Sequence, residues 1–371
     1  MMPSDRIPVL DLTPEIEGLW KELNDAIQGV LRSTQFINGP DVEGLEGELC
    51  SYLDTGHGIA LNSGTDALVI GLRSMGVGSG DEVITTPFTF FATAEAVSIL
   101  GAKPIFVDID DVTYNLDFSQ IEAHVGSRTK ALLPVHIFGH AAPMSEVMTI
   151  AGRHNLLVLE DTAQAFSGEY RGRKLGTIGH AGAYSFFPSK NLGAFGDAGL
   201  LTTNDAKLAE QARVLRSHGS KRKYYNESVG YNSRMDTLQA AILRVKLRHI
   251  EKSTEGRRRA AQRYAELLEG VDGVVRPTER PGCRHSYHQY TIRVTGERRD
   301  AVKASLQARG IETMIYYPVP LHKLPIYQPL GLSLPRAERA CTEVLSLPIW
   351  PEIAASTQER VVSELVRALR N

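Results

Sequence analysis

Three short stretches of this sequence set reactive or charged side chains into otherwise apolar surroundings. The first, Asn62-Ser63-Gly64-Thr65-Asp66, separates an apolar strand pattern from an amphipathic helix pattern. A glycine-containing turn there frees backbone N–H groups at a helix N-terminus, which suits a phosphate. An ordinary turn capped by Thr65 or Asp66 is the plainer alternative. The stretch has no GxGxxG pattern and the chain no GxxxxGK[ST], which weighs against a dinucleotide or a P-loop nucleotide as the ligand. The second stretch ends the most apolar run of the chain, Leu156-Leu157-Val158-Leu159, in Glu160-Asp161. Ligands of open α/β sheets bind outside the carboxyl ends of strands, and a buried carboxylate needs a partner. A structural ion pair of Asp161 with Arg171 or Arg173 would also satisfy that need. The third stretch runs from Ser185 to Gly193 and carries Lys190 in an apolar, glycine-rich setting. A buried lysine has a lowered pKa, and its neutral amine attacks carbonyls to form a Schiff base. A phosphate cradle, a strand-end carboxylate and such a lysine are together the parts that pyridoxal 5'-phosphate requires.

These residues sit on a rhythm of apolar runs and helical patterns that fills the first two thirds of the chain. Thr13-Pro14 reads as a helix start, with Thr13 as the cap and Pro14 where no N–H is needed. Leu19, Leu23, Ile27, Val30 and Leu31 give that helix one apolar face, and Val42, Leu45, Leu49 and Leu53 mark a second. Strands are expected at 57–61, 82–86, 103–109, 130–137 and 156–161, and helices at 90–100, 118–125 and 145–154. Their unbroken apolar runs imply a sheet covered on both faces by helices. Two further strands, 182–187 and 199–203, come with little helix between them, a departure from the crossover pattern. From Asp236 to about Gly270 the pattern is one long helix, a bridge to a smaller unit with strands at 287–294 and 311–316, a helix at 300–308 and two terminal helices. The fold class is therefore α/β: a mostly parallel, helix-flanked sheet plus a smaller C-terminal α/β domain. The expected boundaries are 1–245 for the large domain and 246–371 for the smaller one with its bridging helix.

Composition narrows the class of protein. The 371 residues carry 41 Lys+Arg against 43 Asp+Glu, a net charge of −2, so no sequence-wide basic field invites nucleic acid. With 42% hydrophobic and 23% charged residues the chain can bury a core and is not a disordered one. Cys50, Cys283 and Cys341 are far apart and outside any CxxC pair, which fits small buried side chains in a reducing compartment. The N-terminus lacks the pattern of a secretory signal, and the longest apolar-rich stretch, 131–144, is too short and polar for a membrane span. A cytoplasmic enzyme that engages neither membrane nor nucleic acid is the expectation, and no metal is implied.

At the level of motifs the sequence resembles the DegT/DnrJ/StrS sugar aminotransferases, which are fold-type-I pyridoxal-phosphate enzymes. The resemblance runs from Pro8-Val9-Leu10-Asp11-Leu12 to Leu345-Ser346-Leu347-Pro348. It rests on five ordered matches: Asn62 to Leu68, Gly80 to Ile84, Glu160 to Ala165, Ser185 to Asp197, and Gly230 to Asp236. It implies that Lys190 holds the cofactor covalently and then moves the proton as general base and acid. Asp161 would bind the pyridine nitrogen, Gln164 would lie near the phenolic oxygen, and Gly64, Thr65 and Ser185 would contact the phosphate. Phe88 would stack on the ring, with core packing as its alternative. Asn232 would reach the phosphate in a neighbouring subunit, making a homodimer with shared sites necessary. Arg234, Tyr316 and His322 are candidates for substrate contact, with a salt bridge and a surface histidine as the alternatives for Arg234 and His322. The chain departs from the family pattern at Ala198, where glycine is usual, at Pro143 and Ser145, where an acidic pair is usual, and at Tyr316, where histidine is common. If Tyr316 touches the sugar, the accepted substituent differs.

The resemblance implies transfer of an amino group from L-glutamate to a nucleotide-linked keto sugar. The Ser-Phe-Phe-Pro-Ser-Lys-Asn and Tyr-Asn-Ser-Arg-Met-Asp versions look most like members that aminate C3 of a hexose or uronate. A 4-aminotransferase of the same family remains an alternative. So does a dehydratase, although such members carry histidine in place of Lys190. A third alternative is a non-catalytic protein that binds cofactor or sugar nucleotide as a regulator.

Overall fold

A computed structural model of the chain describes residues 6–370. Its centre is a seven-stranded sheet made of β1 (His57–Leu61), β2 (Glu82–Thr85), β3 (Lys103–Phe106), β4 (Thr129–Leu133), β5 (Leu157–Asp161), β6 (Ala181–Ser185) and β7 (Gly199–Thr203). The spatial order is β1-β7-β6-β5-β4-β2-β3. Strands β2 to β6 pair in parallel, and β7 runs antiparallel to both its neighbours. The reversal has a local cause. Between β6 and β7 the chain folds into a tight loop instead of a crossover helix, and a parallel return needs such a crossover. Because β7 is antiparallel on both sides, β1 regains the direction of β6. The carboxyl ends of β1, β5 and β6 therefore share one edge of the sheet.

The apolar runs are buried as their patterning demands. Ile59, Leu61, Ile70, Leu72, Val83, Leu133, Leu159 and Leu201 are fully inaccessible in one core under the sheet. Val42, Leu45, Leu49 and Leu53 of the Pro40–Leu53 helix pack with Tyr184, Phe186 and Leu243 in another. A separate core forms around Tyr264, Tyr290, Ile292, Val302, Leu306, Leu345 and Leu365, and Ile7 from the chain start joins it. Its strands Val274–Val275, Tyr290–Val294 and Val344–Leu347 form an antiparallel sheet in that order.

Several local expectations are corrected. Thr13 is the first residue of a Thr13–Gly18 helix; its amide is capped by Asp11 Oδ1 at 2.9 Å, so Thr13 is not itself the cap. The stretch expected as a helix at 118–125 is two 3-10 turns, because Asp117 Oδ1 accepts from both the amide and the hydroxyl of Ser119. The long bridging helix is broken into Thr237–Leu247 and Ile250–Leu267. At the break Arg248 and His249 both reach Glu22, at 3.0 and 3.1 Å. The segment at 311–316 makes only isolated bridges, Ile311 to Ile7 and Met314 to Ser346. Of the cysteines, Cys341 is buried while Cys50 and Cys283 are half-buried, and all three are free.

One buried cation ties distant parts together. Lys246, 4% exposed, donates to the Gly193 carbonyl at 2.7 Å and pairs with Glu15 at 2.9 Å. Among the described residues no helix is long and apolar enough to cross a membrane. Leu159 lies at the middle of the sheet with no exposure, so Leu159→Ala leaves a cavity costing about 2–5 kcal/mol. The expected result is a lower urea midpoint with the far-ultraviolet dichroism of the folded protein retained.

Candidate active site

The shared strand edge opens onto a cavity of about 640 Å³. Gly64, Thr65, Asp161, Gln164, Ser185, Lys190 and Tyr316 all line it, so seven of the residues singled out from the sequence meet in one place. After β1 the chain turns at Ser63, whose extended backbone and side chain cap the Gly64–Ser74 helix; Ser63 Oγ accepts from the Asp66 amide at 3.1 Å. The cap is thus Ser63, not Thr65 or Asp66. Gly64 lies against Ser185 at the end of β6: a Cβ on Gly64 would stand 2.6 Å from that of Ser185. Only glycine allows the two strand ends to approach so closely.

Asp161 is buried, and its partners are few. Oδ2 accepts from Thr93 Oγ1 at 2.8 Å and Oδ1 from the Ala163 amide at 3.2 Å. Among the described residues no arginine reaches it; Arg173 instead donates to the Thr177 carbonyl. Burial pushes the Asp161 carboxyl above its ordinary range, with Thr93, the Ala163 amide and the Lys190 charge opposing the shift. The adjacent Glu160 is fully buried on another network. It accepts from His136 Nε2 at 2.9 Å and from the amides of Gly176, Ile178 and Gly179 at 2.8, 2.7 and 2.6 Å. His136 Nδ1 accepts from the Ala142 amide, so the proton of the neutral ring is on Nε2.

Lys190 stands in the loop that reverses the chain between β6 and β7. The loop is closed by the bonds Lys190 N to Phe187 O, Ala194 N to Phe186 O and Phe186 N to Ala198 O, each 2.8 Å. Gly193 is required there, since a Cβ would meet the Pro188 carbonyl oxygen at 2.3 Å. Ala198 keeps an ordinary negative φ, so the methyl where the family has glycine causes no strain. Burial lowers the Lys190 amine from its usual value to about 8, with Asp161 pulling the other way. A usable fraction of neutral amine is therefore present near neutral pH. Gln164 is fixed at both ends: Oε1 accepts from the Phe138 amide and Nε2 donates to the Tyr317 hydroxyl, each at 2.8 Å.

Four expected residues lie elsewhere. Phe88 does not face the cavity; its fully buried ring packs 5.8 Å from Tyr114, 6.0 Å from Phe138 and 6.4 Å from Tyr317. Phe187 lines the cavity, and so does Phe90, 59% exposed. Its sequence signal was the second aromatic of Thr86-Pro87-Phe88-Thr89-Phe90. His322 is buried beneath the surface, neither in the cavity nor a surface histidine. Its Nε2 lies 2.9 Å from Glu338 Oε1, and that contact helps hold the Glu338 carboxyl at about 2. Arg234 donates to Asn232 Oδ1 at 2.5 Å rather than lining the cavity. Asn232 is exposed, outside this chain's own cavity. Thr89, Tyr317, His288 and Gln289, which line the cavity, were not singled out from the sequence.

Asp161 yields a stability prediction. Its folded-state pKa is raised, so its ionisation costs stability that grows as pH rises through the ordinary carboxylate range. In the protein without bound ligands, Asp161→Asn should raise the unfolding temperature at pH 7, and the gain should shrink as the pH falls toward 4. Differential scanning calorimetry across that range reads it; a lower melting temperature at pH 7 would contradict the assignment.

Comparison with known proteins agrees with this geometry. The family model of the DegT/DnrJ/EryC1/StrS aminotransferase family matches residues 18–366. A "Pleiotropic regulatory protein" of Geobacillus stearothermophilus is 49% identical over 98% of this chain and 99% of its own. A dTDP-3-amino-3,4,6-trideoxy-alpha-D-glucose transaminase of Streptomyces venezuelae is 44% identical over 96% of this chain and 94% of its own. The crystal structure of S. venezuelae DesV in complex with a ketimine intermediate superposes with a TM-score of 0.95 at 42% identity, covering 99% of each chain. The chain belongs to the DegT/DnrJ/EryC1/StrS aminotransferase family and has the α/β fold of its pyridoxal-phosphate-dependent members.

Proposed function

We propose that this aminotransferase uses pyridoxal 5'-phosphate to pass an amino group from L-glutamate to a nucleotide-linked 3-keto sugar. The observation that carries the reading is the convergence of Lys190, Asp161 and the Gly64–Ser185 cradle on one cavity. The cavity fits the cofactor by its own chemistry. Asp161 is a buried carboxylate with no cation bonded to it, a match for a protonated ring nitrogen. Gly64, Thr65 and Ser185 leave room and donors for a phosphate. When bound, pyridoxal phosphate acts as an electron sink for a carbon that loses a proton.

The chain's own residues supply the rest. Lys190 Nζ takes up and returns the proton, as an amine near 8 is suited to do at neutral pH. Asp161 keeps its partner nitrogen charged, and Thr93 with the Ala163 amide keeps Asp161 oriented. Gln164, locked by Phe138 and Tyr317, would sit near the phenolic oxygen of the bound cofactor. Phe90 would take the stacking role against the bound ring. Tyr316, which lines the cavity, would contact the sugar. The preference for C3 follows the motif resemblance and the 3-amino product named for the S. venezuelae relative.

In a panel of nucleotide-linked 3-keto and 4-keto sugars with glutamate, the 3-keto compounds should give the amine. Lys190→Ala should lose more than about a thousandfold in turnover. Full activity in that variant would overturn the mechanism, and a preference for 4-keto substrates would overturn the position.

The assembly belongs to the same proposal. Asn232 is exposed, and next to it the Ser220–Arg222 and Tyr225–Asn226 hairpin carries Tyr224 at 85% and Tyr225 at 61% exposure. A homodimer in which Asn232 enters the partner's site uses these groups. Mixed Lys190→Ala and Asn232→Ala chains should then recover about a quarter of wild-type activity, because half of the dimers hold one complete site. No recovery on mixing would remove the shared site. We also propose the domain division 1–245 and 246–371, with Ile7 crossing to the second core, and a cytoplasmic location. The name of the Geobacillus relative favours one second reading, a regulator built on this fold; sugar-nucleotide binding without glutamate-dependent amination would select it.

A further inference from the structure

His288 lines the cavity yet has no part in the roles above. Its backbone is clamped. The His288 amide donates to the Phe138 carbonyl at 3.0 Å, and the Ser286 amide donates to that of Gly139 at 3.0 Å. Behind them Arg257, a buried guanidinium, donates to the carbonyls of Tyr287, His288 and Ile349 at 3.2–3.4 Å. A charged group spent on three carbonyls, in place of a carboxylate, fixes this backbone firmly.

The side chain is clamped as well. His288 Nδ1 lies 3.2 Å from Asn191 Oδ1, and Asn191 Nδ2 donates to the Ser286 carbonyl at 2.9 Å. A carbonyl only accepts, so the Asn191 amide must present its oxygen to the imidazole, and Nδ1 carries the proton. Burial, with the charges of Lys190 and Arg257 nearby, holds the ring well below its ordinary pKa, hence neutral. Nε2 is then a bare lone pair. It has no hydrogen-bond partner among the described residues, and the residue, 8% exposed, lines the same cavity as Lys190. Asn191, which sets the tautomer, is the residue next to Lys190.

We propose that His288 is a positioning residue for Lys190: its Nε2 accepts a hydrogen bond from the Lys190 amine whenever that amine is free. One N–H anchored there stops the amine from rotating and leaves its lone pair aimed at the proton to be moved. His288 itself neither gains nor loses a proton. The inference rests on Lys190 as the proton carrier. The other groups that line the cavity with Lys190 and titrate are Asp161, Asp197, Tyr316 and Tyr317.

The test compares His288→Phe, His288→Gln, whose amide oxygen can replace Nε2 as acceptor, and Asn191→Leu. In cofactor-free protein, the pH dependence of Lys190 acetylation by acetic anhydride, read by mass spectrometry, should show a wild-type midpoint near 8. His288→Phe removes an acceptor of the ammonium form, so the midpoint should fall by about one unit, while His288→Gln stays near wild type. In the loaded enzyme, His288→Phe should lower kcat about tenfold or more, leave KM for glutamate nearly unchanged and raise the α-deuterium isotope effect. Asn191→Leu should move all readings the same way and serves if His288→Phe does not fold. An unmoved midpoint and isotope effect in both variants, or His288→Gln behaving as His288→Phe, overturns the proposal. A shifted midpoint in a protein whose wild type transaminates nothing would uphold the contact and reject only the proton-carrier role.

Discussion

Two consecutive carboxylates at the end of the central strand set the terms for the whole molecule. Side chains alternate across a strand, so Glu160 and Asp161 leave β5 on opposite faces. Glu160 is satisfied inside the protein by His136 and three amides of the turn before β6. Those bonds fix where β6 begins, and through β6 the positions of Ser185 and the Lys190 loop. Asp161 faces the other way with two donors, too few for a comfortable buried anion. One carboxylate organises the scaffold at little net cost, and its neighbour keeps an unmet demand for positive charge at the cavity.

The smaller core is joined to this site by backbone rather than by side-chain charge. Phe138, at φ 58°, gives its amide to Gln164 and its carbonyl to His288, so one residue links the cavity wall to the segment that leads into the Tyr290–Val294 strand. Gly139 follows at φ 102°, where a Cβ would lie 2.5 Å from Ser286 Oγ. The conformation is open to glycine and closed to nearly everything else. Motion of the Ser286–Gln289 segment relative to the sheet would therefore be felt at Gln164.

The sheet was legible because its strands are short apolar runs ending in polar turns, and Lys190, Asp161 and the turn at Gly64 stand out at those ends; Thr65, Gln164 and Ser185 as cofactor contacts came from the family resemblance. What was not legible depended on contacts distant in sequence. Phe88 and Phe90 are the same residue type two positions apart; Tyr114, Phe138 and Tyr317 decide that Phe88 goes inward. His322 reads as a pocket or surface residue until Glu338, on a later helix, takes its Nε2. The bridging helix contains no proline at its break; Glu22, on the Trp20–Ser33 helix, holds Arg248 and His249 there. His288 carries no local signal, because its tautomer is written by Asn191 and Ser286 jointly.

Lys246 extends this dependence to the start of the chain. Its ammonium sits between the Gly193 carbonyl, in the loop that presents Lys190, and the carboxylate of Glu15. The first helix is thus no appendage wrapped on a finished domain; it holds the counter-charge for a cation buried under the Lys190 loop. Trimming the chain through Glu15 would therefore be felt at the candidate site, whereas the last helix closes on the smaller core.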